Sequence, residues 1–247
     1  MPDSGRPQPR SLAVPWRILC RDETHAAAEA ARFVLDAFVS RRQPEFGLAL
    51  SGGRVASRFF GALVAESSRR GVPFGNSHFF WADERCVPPN HAESNFRLAR
   101  AQLLEPLAVA PSHIHRLAGE LPPSEAVALA TDDWQRWERR RARGHTLDCV
   151  VLGVGEDGHV ASLFPDNLAA DLAALAPIRH VTGPKPPPDR LTLGYPVLWH
   201  AARVLVLAPG PAKRPIIDAS LAGTLDTPLA RVIRGRGSRP TTLILSN

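Results

Sequence analysis

With 247 residues, 44% of them apolar, the chain is long enough to bury a substantial core. No apolar run approaches the ~20 residues of a membrane-spanning helix. Three widely separated cysteines, Cys20, Cys86 and Cys149, argue against a disulfide framework or a paired-cysteine zinc cluster and fit a reducing, cytoplasmic setting. The formal charge of +6 suits an anionic partner. Much of it sits in two arginine runs, Arg139, Arg140, Arg141 and Arg143, and Arg231, Arg234, Arg236 and Arg239; no aromatics for base stacking interleave them, so they are expected to be solvated faces and not a nucleic-acid surface.

Residues 1–12 are polar and proline-rich, without the apolar stretch of a secretory signal, and read as a disordered lead to a single domain at 13–247. Residues 16–20 read as a strand, followed by an alanine-rich helix over 22–41 with Asp22 as its N-cap. The apolar run 46–51 stops at Gly52-Gly53 and leads into a helix carrying Phe59, Phe60, Leu63 and Val64. A strand at 76–81, a Pro88-Pro89 loop, a helix at 94–104, a short strand near 113–117 and a helix at 124–140 follow. The run 147–153 is continuously apolar and ends in glycine, the mark of a strand buried on both faces of a parallel sheet. Further strands are expected at 191–194, 204–208 and 242–245, with a helix at 212–221. This alternation predicts an α/β fold with a doubly wound, mainly parallel sheet and helices on both faces.

Ligands of such sheets bind beyond the carboxyl ends of the strands, which directs attention to the segments after Leu50, Trp81, Leu152 and Ala208. Ser51-Gly52-Gly53 allows backbone N–H groups to meet an anion at a helix start, or is a plain tight turn. Trp81 is followed closely by Asp83-Glu84-Arg85, three charges that are costly at a strand end unless exposed or paired; Asp83 and Arg85 are site candidates. Ser94-Asn95 reads equally as a helix cap. In the glycine-rich stretch 153–165, Asp157 and His159 fit one loop, where a carboxylate can orient an imidazole for base work. Arg190 and Lys213 stand near strand ends or helix starts and, with the Ser-Gly-Gly turn, form a candidate phosphate cradle.

At these residues the sequence resembles the 6-phosphogluconolactonases, of the superfamily that also holds the glucosamine-6-phosphate deaminases. The shared motifs, in family order, are Leu50 to Gly53, Asp83 to Arg85 with Ser94-Asn95, Gly153 to Pro165, Pro187 to Thr192, and Gly210 to Lys213. The stretch ending Ser162-Leu163-Phe164-Pro165 is the most specific of them. The resemblance implies a Rossmann-like fold and hydrolysis of 6-phospho-D-glucono-1,5-lactone without a cofactor or metal. It further implies His159 as base, Asp157 as its orienting partner, Asp83 and Arg85 in the site, and Ser51, Gly52, Gly53, Arg190 and Lys213 on the phosphate. After Gly-Gly the family has Ser or Thr and then Pro, whereas this chain has Arg54-Val55-Ala56, so Arg54 is expected to replace a hydroxyl with charge. Deaminase relatives carry glutamate where Phe164 stands, which favours the lactonase over a deaminase or a non-catalytic sugar-phosphate sensor. The expected partner is a small sugar-phosphate lactone, with neither nucleic acid nor membrane, and the chain is expected to be a monomer or weak homodimer.

Overall fold

The computed structural model describes residues 15–141, 145–167 and 175–246, so the expected lead and Arg143 lie outside the described residues. The first half runs β1 (Trp16–Cys20), α1 (Glu23–Val39), β2 (Phe46–Leu50), α2 (Arg54–Arg70), β3 (Ser77–Trp81), β4 (Asp83–Arg85), α3 (Asn95–Ala99), β5 (Ile114–His115) and α4 (Pro123–Arg140). The second half adds β6 (Cys149–Leu152), β7 (Ile178–Thr182), β8 (Asp189–Leu193), α5 (Tyr195–His200), β9 (Arg203–Ala208), α6 (Arg214–Ala222), α7 (Pro228–Gly235) and β10 (Thr241–Ser246). Among the described residues, no helix is long and apolar enough to cross a membrane.

Seven strands form a parallel sheet in the order β1-β10-β9-β6-β2-β3-β5. Both faces of β2, β3 and β6 are buried, which is why these strands read as unbroken apolar runs. Side chains alternate across a strand, and on β3 Phe79 meets Phe74, which touches Phe38 of α1, whereas Phe80 meets Trp134 and Trp137 of α4. Helices therefore cover both faces, as the alternation predicts.

The N-cap reading at Asp22 holds, its carboxylate accepting the His25 N–H at 2.7 Å. Helix α3 passes into a π turn over Arg100–Leu104. Four elements escape the sequence reading: β4, β7, α5 and α7. Strands β4, β8 and β7 form a separate antiparallel sheet beside the carboxyl edge of the main one. Three-residue β4 is too short to show periodicity, and its partner β8 lies more than a hundred positions along the chain.

The expectation that both arginine runs are solvated is corrected. Arg139, Arg140, Arg234 and Arg239 are exposed, but Arg231 and Arg236 are buried. The Arg236 guanidinium donates to the carbonyls of Leu198 (2.7 Å), Ala201 (3.0 Å) and Pro240 (2.8 Å) and to Thr241 Oγ1 (2.9 Å). Its donors thereby satisfy carbonyls that the end of α5 and the loop before β10 leave open. Arg141 reaches inward to Asp148 at 2.7 Å, an ion pair whose two side chains are almost fully enclosed.

Candidate active site

Because β3, β2, β6 and β9 are adjacent and parallel, their carboxyl ends line up on one edge. A cavity of about 230 Å³ opens there. The turn after β2 forms its floor. Gly53 caps α2 without a side chain, leaving first-turn N–H groups available to a ligand. Gly52 is required by close approach: a β-carbon there would lie 1.8 Å from Asn95 Oδ1. Ser51 lines the same floor, and its buried hydroxyl makes no hydrogen bond within the protein. Arg54 projects from the first turn of α2 to the rim.

Strand β4 supplies one wall. Its period-two alternation sends Asp83 and Arg85 to the cavity and Glu84 to the other side. The cost of delivering charge to a buried strand end is offset by pairing. Asp83 Oδ2 accepts the Ser162 hydroxyl at 2.8 Å, and Arg85 Nη1 donates to Glu93 O (2.9 Å) and Glu93 Oε2 (3.1 Å). In the β4–β8 register Arg85 faces Arg190 directly. Like charges at such positions repel, and the pair is held by local acceptors: Arg190 donates to the carbonyls of Pro187 (3.3 Å) and Lys185 (3.2 Å). Burial, then the neighbouring Arg85 charge, lowers the Arg190 pKa, while Asp83 opposes them.

The loop after β6 carries His159. Gly155 N–H donates to the His159 carbonyl at 2.9 Å, and Gly158 N–H to Gly155 O at 3.0 Å, folding the loop back on itself. Asp157 Oδ1 accepts from the His159 backbone N–H at 3.1 Å and lies 2.6 Å from Nδ1. Burial acts to raise the Asp157 pKa, but the His159 N–H and imidazole outweigh it and the net shift is downward. An ionised carboxylate at that distance accepts a hydrogen bond from Nδ1–H, which leaves Nε2 of the ring as the nitrogen with a free lone pair. Gly155 admits no substituent, since a β-carbon would lie 2.2 Å from Nδ1. The Phe164 ring packs against His159 at a 47° tilt with centroids 5.0 Å apart, and the Arg190 guanidinium lies 5.6 Å from the centre of the Phe164 ring.

Lys213 enters from a 3₁₀ turn after β9. Burial lowers its pKa; Glu156 opposes this and the Arg54 charge adds to it. An adjoining cavity of about 510 Å³ shares His159, Arg190 and Lys213 and includes Asp157 and Lys185. Every sequence candidate therefore lies on these two connected hollows. The cations expected on the phosphate share a wall with the imidazole. Asn95, which reads equally as part of a helix start, is buried, lines the cavity, and donates from Nδ2 to Asp83 O at 2.8 Å. Ser162 stands in the most specific motif, but its bond to Asp83 spans 79 positions and no local pattern marks it. Among the described residues, no group of three or more His, Cys, Asp or Glu is arranged to hold a metal ion.

Chemically this is an acid–base site for a small anion, set at the strand ends of an α/β sheet. Comparison with known proteins sharpens the class: the model of the family described as glucosamine-6-phosphate isomerases/6-phosphogluconolactonase matches residues 21–242, and the chain belongs to that family. Human 6-phosphogluconolactonase is 36% identical over 190 residues, 74% of this chain and 71% of the relative. Probable 6-phosphogluconolactonase 1 of Arabidopsis thaliana is 34% identical over 187 residues, 71% and 68% of the two chains. The crystal structure of the Thermotoga maritima 6-phosphogluconolactonase superposes with a TM-score of 0.79 at 23% identity, covering 94% of this chain and all of that one, a likeness of fold.

Proposed function

We propose that the chain hydrolyses 6-phospho-D-glucono-1,5-lactone to 6-phospho-D-gluconate by attack of a water that His159 deprotonates. The observation that carries this reading is the 2.6 Å Asp157–His159 contact at a cavity shared with Arg190 and Lys213. His159 Nε2 takes a proton as the water oxygen bonds to the lactone carbonyl carbon. The resulting oxyanion sits near Arg85. Collapse of the tetrahedral intermediate breaks the bond to the ring oxygen, and the imidazolium returns its proton there, yielding the open-chain acid and a hydroxyl. Asp157 holds the tautomer and stabilises the transient imidazolium. The phosphate is held by Arg190, Lys213 and Arg54, with Ser51, Gly52 and Gly53 offering the unpaired hydroxyl and backbone N–H groups.

A lactone is an activated ester, so a positioned base contributing about 10²–10⁴-fold is adequate, and the reaction needs no cofactor. The apolar Phe164 beside His159 offers no carboxylate to retune the ring, which disfavours the deaminase chemistry of the same superfamily. On this reading the partner is a small sugar-phosphate lactone and not nucleic acid, and the chain acts in the cytoplasm as a monomer or weak homodimer. The test is disappearance of freshly generated δ-lactone above its spontaneous rate, with glucosamine 6-phosphate as the competing substrate. His159→Ala should lower kcat about 10²–10⁴-fold and leave KM nearly unchanged; near-native kcat in that variant refutes the assignment.

A further inference from the structure

Between the two cavity-facing residues of β4 stands a third charge that the mechanism does not use. Glu84 is buried, 2% exposed, and points away from the cavity. Its Oε1 accepts the backbone N–H groups of Arg85 (2.7 Å) and Asn95 (2.8 Å), and its Oε2 accepts the Phe96 N–H (2.7 Å) and the Ser94 hydroxyl (3.1 Å). Four donors occupy both oxygens. A protonated carboxyl would turn its own O–H toward groups that can only donate or that already do so. The carboxylate is the form that fits. Burial, with the Asp83 charge adding to it, leaves the Glu84 pKa raised overall, although the backbone donors of Phe96, Asn95 and Arg85 oppose that push.

Each oxygen bridges elements that are separate in sequence. Oε1 joins the strand residue Arg85 to Asn95 at the start of α3. Both flank the reacting region: Arg85 through its side chain, anchored at Glu93, and Asn95 through its carboxamide, which donates to Asp83 O and packs into the space left by Gly52. The turn under the phosphate, the strand bearing Asp83 and Arg85, and the helix bearing Asn95 thus meet around one buried anion.

Resting on the lactonase reading above, we propose that Glu84 is a positioning residue of the reaction, which sets Asn95 against the substrate and acts through it. Glu84→Gln is the informative change, because it keeps the shape but presents an NH₂ group to two donors, losing hydrogen bonds on one oxygen and creating a donor–donor clash.

The experiment is a double-mutant cycle of Glu84→Gln and Asn95→Ala. It reads kcat/KM on the δ-lactone and Kd for 6-phosphogluconate, with circular dichroism and thermal melts as folding controls. Glu84→Gln should lower kcat/KM at least ~30-fold while retaining the wild-type spectrum, and in the Asn95→Ala background its further effect should shrink to ~3-fold or less. A purely structural role gives losses that multiply. Multiplying losses, or wild-type kcat/KM in Glu84→Gln, overturns the proposal. Should Glu84→Gln fail to fold, Ser94→Ala removes one donor to Glu84 together with the cap on the Arg97 N–H and enters the same cycle, with sub-multiplicative losses expected and multiplicative ones decisive against. Wild-type and His159→Ala rates run alongside and judge the lactonase reading separately. The Kd arm judges Glu84 even if hydrolysis is not found.

Discussion

Acid should unfold this protein earlier than its carboxylates alone require, because of His78. This residue, on β3 at the sheet edge away from the active site, is 1% exposed. Its ring lies 4.2 Å from that of His113 and 4.7 Å from Trp137; its Nδ1 is 2.9 Å from His115 Nε2, and His115 Nδ1 is 2.7 Å from Asp133 Oδ2. His78 Nε2 lies 3.4 Å from Glu45 without a hydrogen bond. Burial above all, then the charges of His113, His115 and Arg140, lowers the His78 pKa from 6.5 to about 4, with Glu45 opposing. Because the folded pKa is the lower one, the unfolded chain takes up its proton first as pH falls. The associated stability is intact above about pH 6.5 and drains away down to about pH 4. A gap of about 2.5 pH units corresponds to roughly 3 kcal/mol, most of it lost between about pH 7.5 and about pH 4.5. For a chain of this size that amounts to about 5–10 °C in Tm. His78→Gln keeps a donor toward His115 and cannot titrate. Thermal melts across this pH range should show wild type falling further than the variant by that margin. Parallel curves, agreeing within about 0.5 kcal/mol, refute the reasoning.

Three further outcomes follow from contacts at the site and in the protein interior. Gly155→Ala places a β-carbon 2.2 Å from His159 Nδ1 and 2.5 Å from Asp157 Oδ1, so kcat should fall at least ~10²-fold with the fold retained by circular dichroism; a near-native kcat counts against the dyad. Arg54→Ser removes an exposed cation near Lys213 and should raise KM for the phosphorylated lactone ~3–10-fold, with a shallower salt dependence. An unchanged KM removes Arg54 from the phosphate. Arg236→Met strands the carbonyls of Leu198, Ala201 and Pro240 and should cost about 3 kcal/mol or more in urea unfolding, whereas a solvated arginine would cost almost nothing.

The contact between Asp157 and His159 was legible in the sequence because it is local. Asp157 and His159 share a loop whose glycines leave the backbone free to fold back, so proximity follows from chain length alone. The same holds for the cap at Asp22 and for the apolar runs of β2, β3 and β6, which announce strands buried on both faces. What tertiary structure alone decided is long-range pairing. Strand β4 exists because β8 pairs with it, which sets Arg85 opposite Arg190; Glu84 can stay buried only because α3 supplies its donors. Arg236 is buried because remote carbonyls converge on it, although its neighbours Arg234 and Arg239 stay in solvent. A side chain's own chemistry fixes what it can bind, and periodicity fixes which face it takes. Whether an arginine or glutamate can leave water depends on partners brought from distant parts of the chain, which no local pattern encodes.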